Sequence, residues 1–181
     1  MAKRDKETIT LGSGQFYLMP FADAMPAQAD LFKEENLLGR TKGGAALEYT
    51  EETTEEKDDL GYVSKVITTS EEVILKGGLV TWNGDSLKKL VDRCTVEESA
   101  GKRITKIGGA GNAQGAYYAI GFHHVDKKTG DLWVMIKGRN TAGLTLTFAA
   151  DEATVVEPEF KAMPHDEAGT LVELIEEIGA A

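Results

Sequence analysis

Short stretches of two-residue alternation, broken by glycine-rich turns, run through most of this 181-residue chain, and a helical period surfaces clearly only once. Alternation by two places successive side chains on opposite faces of a strand, so repeated short runs of it specify sheet. Twenty glycines against four prolines supply many turns and leave few long helices. From Thr8, the residues Ile9, Leu11, Phe16 and Leu18 alternate with others, and Gly12 to Gly14 allow a bulge or bend. Residues 22–41 contain Pro26 and no clean period; they read as a loop with a short helix around Asp30 to Leu37. Gly43 and Gly44 open a second strand through Ala46 to Tyr49, and strand composition resumes at Tyr62. Between them, residues 51–59 carry six acids and one lysine, which reads as a solvated loop or a contact with something basic. Residues 43–75 thus form one long hairpin with an acidic tip. Further strand signals lie at Val73 to Leu75, Leu79 to Trp82, Arg103 to Ile107, Ala116 to Phe122, Leu132 to Ile136, Leu144 to Phe148 and Thr154 to Phe160. Tight-turn residues fill Val125 to Asp131, and Pro158 marks an edge position. The tail residues Leu171, Leu174, Ile175 and Ile178 fit a helix by period and a strand by composition.

The one clear helix is expected over residues 86–95. Asp85 or Ser86 caps it, and Leu87, Leu90, Val91 and Cys94 fall at i, i+3, i+4 and i+7. Eight or nine short strands, one helix, no βαβ alternation and no internal repeat predict a mainly β fold. It is a single domain over 1–181, an antiparallel β-sandwich or barrel with one flanking α-helix and a long acidic hairpin; residues 1–7 form an N-terminal arm.

Acids outnumber bases 30 to 20, a formal charge of −10. That balance disfavours binding by neutralised phosphates or docking on anionic lipid. Apolar residues, at 41%, are enough to fill a core. No apolar run approaches the roughly 20 residues of a membrane helix, and no apolar signal-peptide core follows the charged start. The expectation is a soluble protein made in a cytoplasm, with no membrane partner.

Candidate chemistry is sparse. His123 and His124 are neighbours in a strand and point to opposite faces, so they cannot share one ion; His165 falls in a loop. Residues 108–115 are glycine-rich but lack the dinucleotide-binding spacing, because Gln114 stands where glycine or alanine is needed. The single cysteine, Cys94, excludes an internal disulfide and lies on the apolar face of the expected helix, as a buried small hydrophobe. The acids at 51–59 have no apolar pocket to split their pKa values and lack the pattern of a calcium loop. Aromatics, at 7%, are too few for a base-stacking platform. No catalytic residue, metal or cofactor is expected, and the chain does not read as an enzyme.

Several phrases together carry a resemblance. Residues 35–50, Glu-Asn-Leu-Leu-Gly-Arg-Thr-Lys-Gly-Gly-Ala-Ala-Leu-Glu-Tyr-Thr, resemble the segment entering the long hairpin of bacteriophage tail tube (major tail) proteins. Residues 73–90 are similar to that family's strand-to-helix passage, and Thr105 to Gly109, the turn at Asp126 to Trp133, Leu144 to Phe148 and Glu159 to Ala162 follow in order. The resemblance spans roughly residues 8–175. It implies a homohexameric ring whose inner sheets join into one lumen wall. Rings stack into a tube that conducts double-stranded DNA from the virion into the host cell. It also implies the partners of such a tube: further copies of itself, a tape-measure protein, a tail terminator, baseplate or tip proteins, and a sheath if the tail contracts. DNA would pass without specific binding, and the protein, synthesised in the host cytoplasm, would reside in the virion tail.

The acidic composition suits a conduit, since repelled phosphates are not held. Assembly then needs its own attractions. Lys3, Arg4 and Lys6 are complementary to Glu51, Glu52, Glu55, Glu56, Asp58 and Asp59 of an adjacent subunit; the alternative leaves both segments solvated, since exposed pairs contribute only about 0–1 kcal/mol each. Two further functions stand beside the tail tube. One is a tube of a contractile injection or secretion system that moves proteins. The more remote one is a ligand-binding β-sandwich, for which Trp82 and Trp133 are the only tryptophans.

Overall fold

A computed structural model describes residues 12–62 and 64–178. Its strands are β1 (Gln15–Pro20), β2 (Leu37–Lys57), β3 (Ser64–Leu79), β4 (Cys94–Ser99), β5 (Lys102–Ile107), β6 (Tyr118–His124), β7 (Leu132–Asn140), β8 (Glu159–Met163) and β9 (Val172–Glu176). Two α-helices, α1 (Gln28–Leu31) and α2 (Gly84–Leu90), and two 3-10 turns complete the described elements. The fold is mainly β, and every strand pair is antiparallel.

The main sheet runs β6-β1-β2-β3-β8-β7, and β7 also pairs with β6, so these six strands close on themselves as a barrel. β9 lies on the same side of β7 as β8, taking the Leu132–Ile136 half while β8 takes Lys137–Asn140. The β7–β8 seam is close: a Cβ on Gly138 would fall 2.2 Å from the carbonyl oxygen of Lys161, so only glycine fits there.

Alternation determines what fills the barrel. Phe16 and Leu18 of β1 point inward, with Leu75, Leu79, Ile120, Ile136, Val156 and Phe160, all 1% exposed or less. The Phe16 ring lies 5.2 Å from Phe122 and 5.7 Å from Phe160, in tilted packing that favours aromatic rings. Leu87 and Leu90 of α2 add to this core. Tyr17, between Phe16 and Leu18, faces the other way into a second cluster with Leu31, Ala119 and Met135. β1 is therefore buried on both faces, which explains its continuous Phe-Tyr-Leu-Met sequence.

Several expectations change. The helix spans 84–90, not 86–95. Asn83 caps it, its side chain accepting from the Ser86 N–H at 2.9 Å. It stops because the β-branched Val91 turns extended (φ −116°). Cys94 then opens β4, which pairs along its length with β5. Ala100 (φ 51°) and Gly101 (φ 72°) join the two strands in a turn with positive φ at both central positions, the type I′ pattern. Leu144 to Phe148 alternates but pairs with no strand. Of Thr154 to Phe160, Val156 makes a single bridge to Leu79, and the strand begins only at Glu159. Pro158 precedes β8, which has partners on both sides, so it does not mark an edge. The tail is strand β9. The hairpin is longer than 43–75, running from Leu37 to Leu79; Glu51, Glu52, Glu55 and Glu56 are in strand rather than loop, and only Asp58 and Asp59 of the acidic run fall outside it. Residues 22–41 supply α1, a 3-10 turn and the start of β2.

The β6–β7 turn depends on one carboxylate. Asp126 accepts from the Thr129 hydroxyl and from the N–H groups of Lys128 (2.8 Å) and Thr129 (3.2 Å). These bonds, the Thr129 hydroxyl first, hold its carboxyl down to about 2. A depressed acid contributes stability that is present above its ordinary value of 3.8 and lost as pH falls through 2. Thermal unfolding scanned from pH 5 to 2 should show a decline in this window that Asp126→Asn flattens in part.

Candidate functional site

The feature that stands apart from the barrel is the outer part of the β2–β3 hairpin. β1 accompanies β2 only over Leu37–Arg40, and β8 accompanies β3 only over Ile74–Lys76. From the Thr50–Glu72 pair outward the ladder has two strands, and both its outer edges are open among the described residues. At about 3.3 Å per residue the arm projects roughly 30 Å. Residues 48–62 and 64–71 are all exposed. Near its base, Thr68 to Glu71 border a groove shared with Ala162, Met163 and Leu171 of the barrel side.

The arm is also where charge concentrates. Residues 48–72 hold nine acids and two lysines, a formal −7 of the chain's −10. Glu51 and Glu71 sit directly opposite each other, an unfavourable like-charge pair. Hydroxyls offset it: Tyr49 donates to Glu71 at 3.1 Å, and Thr68 donates to Glu51 at 2.5 Å. Partial desolvation and these carboxylates push the Tyr49 phenol above its usual range. Ser70 donates to Glu52 at 3.0 Å, and a bulge between Glu52 and Thr53 inserts Thr69, whose hydroxyl donates to the Glu52 carbonyl. Near the tip, Lys57 pairs with Glu55 at 3.0 Å. At the root, Lys76 pairs with Glu48 at 2.9 Å and Lys161 with Glu72, pinning the arm to the barrel. Interleaved Thr, Ser, Val and Ile residues keep the segment a strand despite its charge.

Of the contact residues expected from sequence, Glu51, Glu52, Glu55 and Glu56 therefore lie on β2 of the arm, and Asp58 and Asp59 follow at its turn. Lys3, Arg4 and Lys6 lie outside the described residues. The sequence signal at Arg103 to Ile107 is β5, which carries Lys102, Arg103 and Lys106 with exposed Ile104 and Ile107; what sequence reasoning missed is its partner β4, and with it the β4–β5 hairpin. The hairpin's signal was the Ala100-Gly101 turn between two alternating runs.

The histidines are held separately. His123 stacks on Trp133 with centroids 5.0 Å apart and bonds Asp131 at 2.9 Å. His124 is buried, with Nδ1 3.0 Å from the Ser13 carbonyl, and buried His165 reaches Glu173 at 3.0 Å. Among the described residues no three His, Cys, Asp or Glu side chains are grouped to hold a metal. The glycine-rich loop is tied to β4 and the turn before it: Gly108 N–H donates to Arg93, Gly115 N–H to the Asp92 carboxylate, and the Gln114 amide to the Cys94 carbonyl. Trp82 packs against the barrel core while Trp133 lies on His123, so they do not form one aromatic patch.

Cys94 is fully buried, and burial pushes its thiol up. A thiol-specific reagent should label it only at the rate of unfolding in native buffer and within minutes in denaturant; rapid native labelling would contradict its placement.

No protein-family model matches the chain, and no curated protein is significantly similar to it.

Proposed function

We propose that the chain is a structural subunit of a phage tail tube, forming hexameric rings that stack into a hollow conduit for double-stranded DNA. The observation that carries this reading is the arm. A two-stranded ribbon without a hydrophobic face is marginal in water, and open strand edges are templates for another chain. A roughly 30 Å arm with both edges open is therefore best understood as half of an interface that a neighbouring copy completes. A head-to-tail contact of this kind closes into a ring when its rotation permits.

Composition supports the cargo. Six copies at −10 each carry a formal −60, which repels a phosphate backbone and opposes its capture on the wall. The order of elements, a hairpin leading to a short helix and then to strands, agrees with the family that the sequence resembles. In this reading the chain is not an enzyme and needs no cofactor, and its other partners are the tape-measure, terminator and tip proteins of the tail.

Size-exclusion chromatography and negative-stain imaging of the purified protein test it. The expected species has six times the 19.5 kDa mass, seen as rings or as tubes of stacked rings. A compact monomer at all accessible concentrations would overturn the proposal.

A further inference from the structure

The acidic arm needs a docking surface on the neighbouring copy, and the described residues contain one strand edge of complementary design. β5 pairs only with β4, and its other edge carries no strand among the described residues. Its sequence, Lys102-Arg-Ile-Thr-Lys-Ile107, has three bases and no acid. The outer edge of β2 on the arm, Glu51-Glu-Thr-Thr-Glu-Glu56, has four acids and no base. The spacings match: acids recur at 51 and 55 and at 52 and 56, and bases at 102 and 106, each four residues apart.

Resting on the tube-subunit reading, we propose that β5 of one copy adds, antiparallel, to the β2 edge of the next copy's arm, giving a four-stranded intermolecular sheet β4-β5-β2-β3. The register that sets Lys102 opposite Glu56 places Arg103 opposite Glu55, Ile104 opposite Thr54, Thr105 opposite Thr53 and Lys106 opposite Glu52. Each base meets an acid, and two threonines meet. Antiparallel pairing is chosen because it is the more stable ladder per residue and the only kind found among the described residues. Within one copy, Arg103 already contacts Glu98 and Asp85, Lys106 contacts Glu97, and Lys57 contacts Glu55. All these pairs are exposed and individually weak, so the added strand shares these charges in a network. The main-chain ladder supplies adhesion, and charge selects the register and the partner.

The test uses two full-length chains. One carries Glu51→Lys, Glu52→Lys, Glu55→Lys and Glu56→Lys; the other carries Lys102→Glu, Arg103→Glu and Lys106→Glu. Alone, each places like charges across the interface and should need at least about tenfold more protein to assemble than wild type. Mixed 1:1, the reversed arm of one meets the reversed β5 of the other, and the second contact is wild type in sign, so assembly should return. Circular dichroism of each chain checks its fold. As an independent readout, a chain with Thr54→Cys and Ile104→Cys should form intermolecular disulfides on oxidation, while Thr53→Cys with Ile104→Cys should not; Cys94, fully buried, does not compete. Wild-type rings that neither reversal disturbs, or a mixture that stays unassembled, would overturn the strand addition and leave the tube reading standing. A monomeric wild type with no Thr54–Ile104 cross-link would overturn both. Open filaments or dimers with rescue on mixing would support the strand addition and overturn the closed ring.

Discussion

Replacing residues 50–72 by Asn-Gly should yield a folded barrel that no longer assembles at all. Tyr49 and Val73 are directly paired, so a two-residue turn joins them without disturbing the ladder below. The excised segment contributes no residue to either hydrophobic cluster. Closing a short turn costs less chain entropy than closing a long excursion, so the thermal midpoint should hold or rise. The change removes eight acids and two lysines, taking the formal charge from −10 to −4. Salt can screen the charges that remain but cannot replace the lost edge, so raising ionic strength should not restore rings. Normal tubes from the shortened chain would show that the arm is dispensable and remove the basis of the assembly proposal.

The second large effect lies in the barrel. Phe160 is fully buried, packs on Phe16, and sits on β8, the strand that joins β3 to β7. Phe160→Ala should cost about 3–5 kcal/mol, from lost transfer energy and the cavity left behind. Against a typical domain stability of about 5–15 kcal/mol, that is enough to unfold much of the population on modest heating. Urea unfolding with an unchanged m-value measures it. Phe160→Leu should recover part of the loss, and Phe148→Ala, at a side chain 77% exposed, should change stability by no more than about 0.5 kcal/mol. A loss below about 1 kcal/mol for Phe160→Ala would place the core elsewhere.

Alternation in the sequence was a good guide to which side chains of a strand enter the barrel, even in β1, β6 and β7, whose other faces are also buried. The inward sets Phe16 and Leu18, Ile120 and Phe122, and Val134 and Ile136 are legible as runs, and they build the barrel. Period failed where two readings fit the same residues. Val91 and Cys94 lie at helical spacing from Leu87, yet Val91 favours extended backbone and Cys94 finds Ile107 across a ladder. Leu144 to Phe148 alternates as well as any strand in the chain, but strand formation needs a partner edge, and none is placed beside it. The acidic run read as a loop because dense like charge disfavours sheet. What holds it is on the opposite strand, in Thr68 and Ser70, which donate to Glu51 and Glu52. The candidate acids were thus visible from composition. Their edge was not, because its openness depends on where β1 and β8 stop, and that is fixed by pairings between residues far apart in the chain.

Barrel closure has a consequence for biosynthesis. β1 is wedged between β2 and β6, whose Phe122 pairs with Phe16, and β3 gains β8 only when Met163 has been made. The β2–β3 ribbon is local and zips within microseconds of emerging from the ribosome. At about 5–20 residues per second, translation from Leu79 to Met163 takes roughly 4–17 s, so the ribbon waits for several seconds beside nascent chains of the same sequence on the same messenger. Like-signed ribbons repel one another during that interval. The charge that would fit this segment to its place in a finished assembly also keeps half-made neighbours on a polysome from zipping together too early.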